Sequence, residues 1–463
     1  MKKNIILKFD TGMLNILLFV IPVASLIFPA ILFGYPILHP DTKTYVYSGF
    51  ANFIPFDRPI GYGWLMKYIS FSFSFWLVVI VQSIILVLQV QWVNKHVFRF
   101  KEYRAVTAVL LTVLSVISYA SLYTSMLMPD IFVVYIILGF WLVIFARDLP
   151  LPLKVITFIL LAYCNFSHFS NIALSGLLTV LLVIFSLIQK EKKYYRLSLY
   201  FVAILVVSLV ATKFVNKAVD GTEKLSKGKN IIIMARLIEI GVIQDYLEDY
   251  DTEYKYSLTH EIDRLNELNG VADFVWNAES PLFDGDCSEI SYKNCWKVKS
   301  DEYGEIIKNT LLTPRYAFRV ICRYTKDSFR QFFTFQAKNH FHNKPETNIG
   351  INVEKHLPAD YPYFISAVQM NTNINSSAIN SFNKYVFWIS LLLSVLIVIN
   401  RKENRIIFQS FLFILIALLS NAIVCASLSN VVGRYQGRVV WLIPLIVLLY
   451  FIGAYRKKVK PEQ

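Results

Sequence analysis

Charge is scarce in this chain. Asp, Glu, Lys and Arg together make up 17% of its 463 residues, against about a quarter in an ordinary soluble domain. Histidine is rarer still, at seven, and no His, Cys or acidic spacing is diagnostic of a metal site. No internal repeat stands out, which argues against transporter folds built from two related halves. What fills the space is apolar. Hydrophobic residues reach 56% and aromatics 15%, a composition that excludes a conventional soluble protein of this length.

A membrane span needs about 20 largely apolar residues. Stretches near 11–34, 72–93, 104–122, 129–146, 154–169, 170–188, 197–215, 384–400, 406–428 and 438–455 meet that demand, so about ten crossings are expected. Asn165, His168 and Asn171 interrupt the pair at 154–188. The first apolar run is too long for the core of a secretion signal, and no small-x-small cleavage site closes it. It reads as a retained helix.

The net charge of +14 is distributed by loop. Lys2, Lys3, Lys8, Lys95, Arg99, Lys101, Arg104, Arg147, Lys154, Lys190, Lys192, Lys193, Arg196, Arg401, Lys402, Arg405, Arg456, Lys457, Lys458 and Lys460 fall in one set of short loops and tails. The opposite short loops carry only Lys43, Arg58, Lys67, Arg434 and Arg438. By the positive-inside rule both termini face the cytoplasm. The basic balance is thus a topology signal for a multi-pass protein of the inner (plasma) membrane, and nucleic acid is not an expected partner.

The apolar pattern stops once, over 216–383. That segment holds most of the acidic residues, with helical periodicity in IIIMARLIEIGVI and RYAFRVICRYTKDSFRQFF and a turn signal in SPLFDGDCS. It reads as a mostly helical outer, periplasmic or extracellular, domain. The expected organisation is a membrane module at 1–215 with its first outer loop at 35–71, the outer domain at 216–383, and C-terminal membrane helices at 384–463. Cys164 and Cys425 fall in spans as apolar fillers, and a Cys287–Cys295 bridge suits the oxidising side. RYAFRVICRYTKDSFRQFF is amphipathic and fits either a membrane surface or a packed helix with a solvated basic face.

Sorting the acids by side isolates a site. Asp10, Glu102, Asp148, Glu191, Glu403 and Glu462 lie in the basic loops or tails. Outside the inserted segment only Asp41, Asp57 and Asp130 remain on the other face, in LHPDTKTYVYSGF, FIPFDRPIGYGWL and LMPDIFVVY. Charges at a membrane face are expensive and tend to be functional.

Pro40-Asp41-Thr42-Lys43-Thr44-Tyr45, directly after the first span, resembles the Asp motif of the GT-C superfamily of membrane glycosyltransferases. That group includes protein mannosyltransferases, oligosaccharyltransferases and lipid A aminoarabinose transferases. Asp57-Arg58-Pro59-Ile60-Gly61-Tyr62 is similar to a second string of the aminoarabinose-transferase type, one residue tighter. Pro129-Asp130 and Gly433-Arg434-Tyr435 also have counterparts there. The resemblance covers the first membrane half well and the last spans loosely, and it does not extend to the outer segment. It implies an all-α, GT-C-like fold and transfer of a sugar from a polyprenyl-phosphate carrier to a glycan, lipid or protein acceptor.

Such a transfer needs a carboxylate that takes or orients the acceptor hydroxyl's proton, and Asp41 is expected in that role. Its alternative is a helix N-cap. Cations must meet the leaving phosphate: Arg58, Arg434, Arg438 and Lys67 are the candidates, although lipid headgroups could also account for them. Tyr45, Tyr62, Asp57, Asp130, His168 and Tyr435 are expected to support the site. A divalent metal is an open option, with Asp57, His39, His340 and His342 as ligand candidates. Two other functions stay in play: an O-antigen polymerase or ligase using arginines such as Arg315, Arg319, Arg323 or Arg434, and a lipid-linked sugar flippase, which would need polar groups such as Gln82, Gln89, Asn165 and Asn421 at mid-membrane depth.

Overall fold

The structure, a computed structural model, describes residues 11–253, 255–284, 287, 292–337, 348–372 and 375–459. Among them the chain is all helical, with one isolated parallel bridge between Ile37 and Met126. Seven helices are long and apolar enough to cross a membrane: Thr11–Phe33, Trp76–His96, Phe169–Gln189, Lys192–Asp220, Ser377–Ile399, Arg405–Leu428 and Gly433–Arg456. Three shorter apolar helices, Tyr103–Ile117, Asp130–Phe145 and Leu151–Ser167, occupy the other stretches expected to span. The expected ten crossings thus resolve into seven of full length and three shorter helices.

The shortening has local causes. The stretch 104–122 breaks at Ser118, which is extended (φ −144°, ψ 174°). The Ser118 hydroxyl donates to the Leu114 carbonyl at 2.6 Å and the Ser121 hydroxyl to the Ser115 carbonyl at 2.7 Å, the kind of side-chain competition that ends helices. Asp130–Phe145 is apolar on every side and buried almost throughout, as a helix without an amphipathic face must be. It is the centre of the bundle. Thr11–Phe33 is the opposite case: Ile16, Val20, Phe28 and Leu32 on it are at least half exposed, an apolar surface that only lipid solvates well.

Polar residues inside the bundle tie helices together. Gln82 donates to the carbonyls of Thr124 (2.9 Å) and Met126 (3.1 Å) and accepts from the Tyr62 hydroxyl (2.7 Å). Gln89 donates to the Tyr135 carbonyl at 3.0 Å. Asn165 accepts from Ser175 at 2.7 Å, and Asn421 donates to the Tyr435 carbonyl at 2.8 Å. Interhelical bonds of this kind are ordinary membrane packing.

The inserted segment has its own core, built on Met234, Phe274, Trp296, Tyr303 and Tyr316. Cys287 and Cys295 form a disulfide. The later apolar residues Val353, Leu357, Phe364 and Met370 join the membrane core instead. There Asp360 accepts from the Tyr35 hydroxyl (2.6 Å), the Ser74 hydroxyl (2.8 Å) and the Phe75 N–H (2.9 Å). Gln369 holds the Leu38 N–H (3.1 Å) and the Pro36 carbonyl (2.8 Å). Residues 35–39 are thereby clamped between the inserted segment and the bundle.

Loops sort by end. Gly228 N–H donates to the Phe56 carbonyl (2.9 Å), Arg236 Nε to the Ala426 carbonyl (3.0 Å) and Gln336 N–H to the Gly433 carbonyl (3.2 Å). The first loop, the inserted segment and the last loop therefore gather at one end. Basic loops meet elsewhere, through Arg99–Asp148 (3.0 Å) and Arg456–Glu102.

Candidate functional site

Two short helices, Thr42–Ala51 and Gly61–Ser70, form the first loop. They cross where a Cβ on Gly49 would lie 2.1 Å from the Gly63 carbonyl oxygen, and one on Gly63 2.7 Å from the Tyr45 carbonyl oxygen. Only glycine allows that approach. Upstream, Ile37 N–H bonds the Ser125 carbonyl (2.9 Å), Leu127 N–H the Ile37 carbonyl (2.8 Å), and Thr42 Oγ1 the Leu127 carbonyl (3.1 Å). This short docking seam brings Asp41 beside the start of the central helix, where Asp130 sits.

Asp41 occupies the N-cap position of the Thr42–Ala51 helix, yet its side chain makes no cap hydrogen bond. The carboxylate faces two guanidinium groups instead. Arg58 Nη2 is 3.2 Å from Oδ1, and Arg434 Nη1 is 3.1 Å from Oδ2. Arg58 also grips Asp57 through Nε (2.9 Å) and Nη2 (2.5 Å). Arg434 Nε lies 3.8 Å from Asp130 Oδ1, and Arg438 Nη1 lies 3.5 Å from the same oxygen. The result is one alternating chain of charges, Asp57–Arg58–Asp41–Arg434–Asp130–Arg438. It balances at three carboxylates against three guanidiniums.

Exposure grades along that chain. Asp130 and Arg438 are 4% exposed at the side chain, whereas Asp41 is 31% exposed. Asp41 is its most accessible vertex. Burial works against the ionised form of Asp41, but the Arg58 guanidinium, reinforced by His39 and Arg434, holds its carboxyl well below the usual carboxylate range. His39 is pushed below its ordinary value by burial and by Arg434, against the pull of Asp41. Its Nδ1 accepts the Asp41 backbone N–H at 3.2 Å and lies 2.9 Å from Arg434 Nη1.

The expected supporting residues divide. The Tyr45 ring lies under Arg58 at 5.0 Å and packs edge-on against Tyr62 at 5.1 Å. Tyr435 lies beneath both Arg434 (5.4 Å) and Arg438 (5.5 Å). His168 joins the Leu151–Ser167 and Phe169–Gln189 helices, caps the second through Ser170 N–H (3.1 Å), and feels the field of Arg438, Arg58, Asp130 and Arg434. Lys67 stands apart: it lies over the Tyr68 ring at 5.8 Å and near His356, with no ion pair to the cluster among the described residues. Asp130 sits in the first turn of its helix with Pro129 at the N-cap, so it is not the cap.

Among the described residues no three His, Cys, Asp or Glu side chains gather as a metal-ligand set. Asp57 is taken by Arg58, and His39 by Arg434 and Asp41. His340 and His342 lie outside the described residues. Sequence reasoning missed two partners of Arg438, Asn421 Oδ1 (3.1 Å) and Cys425 Sγ (3.2 Å). No local signal marks either, because they come from a neighbouring span. The Tyr45 hydroxyl and Arg438 Nε are buried with no hydrogen-bond partner.

The arrangement can do two things chemically. It can hold an anion at Arg58 and Arg434 if that anion displaces Asp41, and the displaced carboxylate can then accept a hydrogen bond. No family model, curated protein or solved structure matches the chain.

Proposed function

We propose that this chain is a membrane glycosyltransferase of GT-C-like architecture that takes a sugar from a polyprenyl-phosphate carrier. The loop charges orient it with both termini in the cytoplasm and the charge cluster on the outer face of the bacterial plasma membrane. The observation that carries the reading is Asp41, an N-cap carboxylate that caps nothing and is shared by arginines from the first and last outer loops.

The leaving phosphate gains negative charge during transfer, and guanidinium groups match it in geometry and sign. In this reading donor phosphate replaces Asp41 as the partner of Arg58 and Arg434. The freed carboxylate then orients the acceptor hydroxyl and receives its proton as the anomeric bond to phosphate breaks. With the arginines engaged elsewhere, its basicity recovers, which the resting pairing suppresses. Asp57 and Asp130 keep the arginines aimed. Asn421 and Cys425 hold Arg438. Glycan, lipid and protein acceptors all suit the accessible Asp41 edge, and a divalent ion is not assigned a role.

The competing explanation is a structural clamp, in which the six charges only pin the loops. An O-antigen polymerase or ligase would instead work through Arg315, Arg319, Arg323 or Arg434; the first three bind Asp249, Asp245 and Asp327 in the inserted segment, whereas Arg434 belongs to the cluster at Asp41. The test is turnover of labelled single-sugar polyprenyl phosphates by the purified chain in nanodiscs. Release of free polyprenyl phosphate supports transfer. Use of only oligosaccharide-diphosphate donors favours the polymerase reading, and no turnover with either favours the clamp.

A further inference from the structure

The Pro314–Phe333 helix carries three faces. Tyr316, Val320, Asp327 and Gln331 are buried. Phe318, Ile321, Phe329 and Phe333 are 49–68% exposed and recur at helical spacing as one apolar stripe. Arg315, Arg319, Arg323, Lys326 and Arg330 form a third, basic stripe beside it.

In water such a stripe would be a liability. Here it runs into the membrane surface of the bundle. Phe333 stacks on Trp388 (5.8 Å), which lies on the Ser377–Ile399 span and is itself 51% exposed, next to exposed Tyr385 and Ile389. The apolar stripe therefore continues the lipid-facing surface of a crossing helix. The basic stripe splits in two: Arg315, Arg319 and Arg323 bind Asp249, Asp245 and Asp327, while Lys326 and Arg330, nearer the membrane end, have no ion pair among the described residues.

We propose that Pro314–Phe333 is a membrane-interface helix whose Lys326 and Arg330 bind the phosphates of anionic phospholipids while Phe318, Ile321, Phe329 and Phe333 enter the acyl boundary. The commitment to anionic lipid rests on charge complementarity and on continuity with the lipid-facing span. Internal carboxylates have neutralised the upper cations and left the lower two. On its buried face, Gln331 bonds the Val432 backbone in both directions, at 2.9 and 2.8 Å, which ties the helix to the loop before Gly433.

Cys322 lies on the apolar stripe and is the one exposed cysteine among the described residues; Cys164 and Cys425 are buried and Cys287 is bonded to Cys295. A spin label on Cys322 of the full chain in phosphatidylcholine nanodiscs is expected to collide more with oxygen than with a water-soluble nickel chelate. Titrating phosphatidylglycerol should then show a preference over phosphatidylcholine. A surface cation is worth about fivefold in such binding, so K326Q/R330Q should lower that preference by roughly 25-fold. The Lys326→Arg variant should retain it. A label more accessible to nickel than to oxygen, or a preference that survives in K326Q/R330Q, would overturn the proposal.

Discussion

Asp41→Asn keeps the side chain's volume and removes its charge. The cluster then holds two carboxylates against three guanidiniums and is one unit positive. Neither neighbour is orphaned, because Arg58 retains Asp57 and Arg434 retains Asp130. Breaking a fully buried pair costs about 3–5 kcal/mol and an exposed one below ~1 kcal/mol. With Asp41 31% exposed, the loss falls at roughly 1–3 kcal/mol, so the variant folds with a lowered melting temperature. Phosphate binding should move the other way. Two unit charges ~4 Å apart interact by up to about 4 kcal/mol near a protein surface. Screened to a fraction of that, removing the competing carboxylate should tighten polyprenyl phosphate binding by roughly five- to thirtyfold. Sugar transfer should fall by about 10²–10⁴ once the proton acceptor is gone. Melting temperature, polyprenyl phosphate titration and donor turnover, measured on one preparation, separate the three effects. A folded D41N that transfers at the wild-type rate, or that binds phosphate more weakly than wild type, would refute the displacement scheme.

Arg58→Lys should behave as a loss, because one ammonium cannot span Asp57 and Asp41 as the guanidinium does; the donor KM should rise at least tenfold, read from initial rates. Asp130→Asn should cost about 3–5 kcal/mol, since it uncovers Arg438 at a site 4% exposed. Arg438→Met on that background should recover much of the loss, a double-mutant cycle readable by thermal unfolding. The folded-state pKa of His39 lies below its ordinary value, so its stabilising share is present above the unfolded pKa, about 6.5. It declines as pH falls below that point and the unfolded chain takes up the proton first. Melting temperature should drop between pH 7 and 5 with a slope that His39→Gln flattens. Asp41, also lowered, adds its loss only at more acid pH.

Hydropathy alone makes the membrane class legible, and sorting the acids by loop is enough to isolate Asp41, Asp57 and Asp130. Composition cannot say that these three are linked through arginines into one chain of charges, because Asp41 and Arg434 are 393 positions apart and only the docking of 37–42 on 125–127 joins them. Helix lengths are legible only in part: serine hydroxyls turn one apolar run at Ser118, and the central Asp130–Phe145 helix is packed against protein on every side. Lys67 groups with the candidate phosphate-binding cations by loop, but it is the seventh residue of the Gly61–Ser70 helix, on a face turned toward Tyr68 and His356. His39 invites a metal-ligating role by residue type. The fold uses one of its nitrogens to hold the Asp41 backbone, a role that depends on the turn at Pro40 instead. The charge balance is not legible either, since counting cations around a phosphate site ignores the carboxylates already seated on them.

In the proposed transfer, donor phosphate takes the place of Asp41 on Arg58 and Arg434. A structure of the full chain with polyprenyl phosphate bound would show this exchange. Phosphate oxygens are expected within about 3 Å of both guanidinium groups, with the Asp41 carboxylate turned out toward the acceptor side. A phosphate bound elsewhere, with the Asp41–Arg58 and Asp41–Arg434 pairs intact, would contradict it.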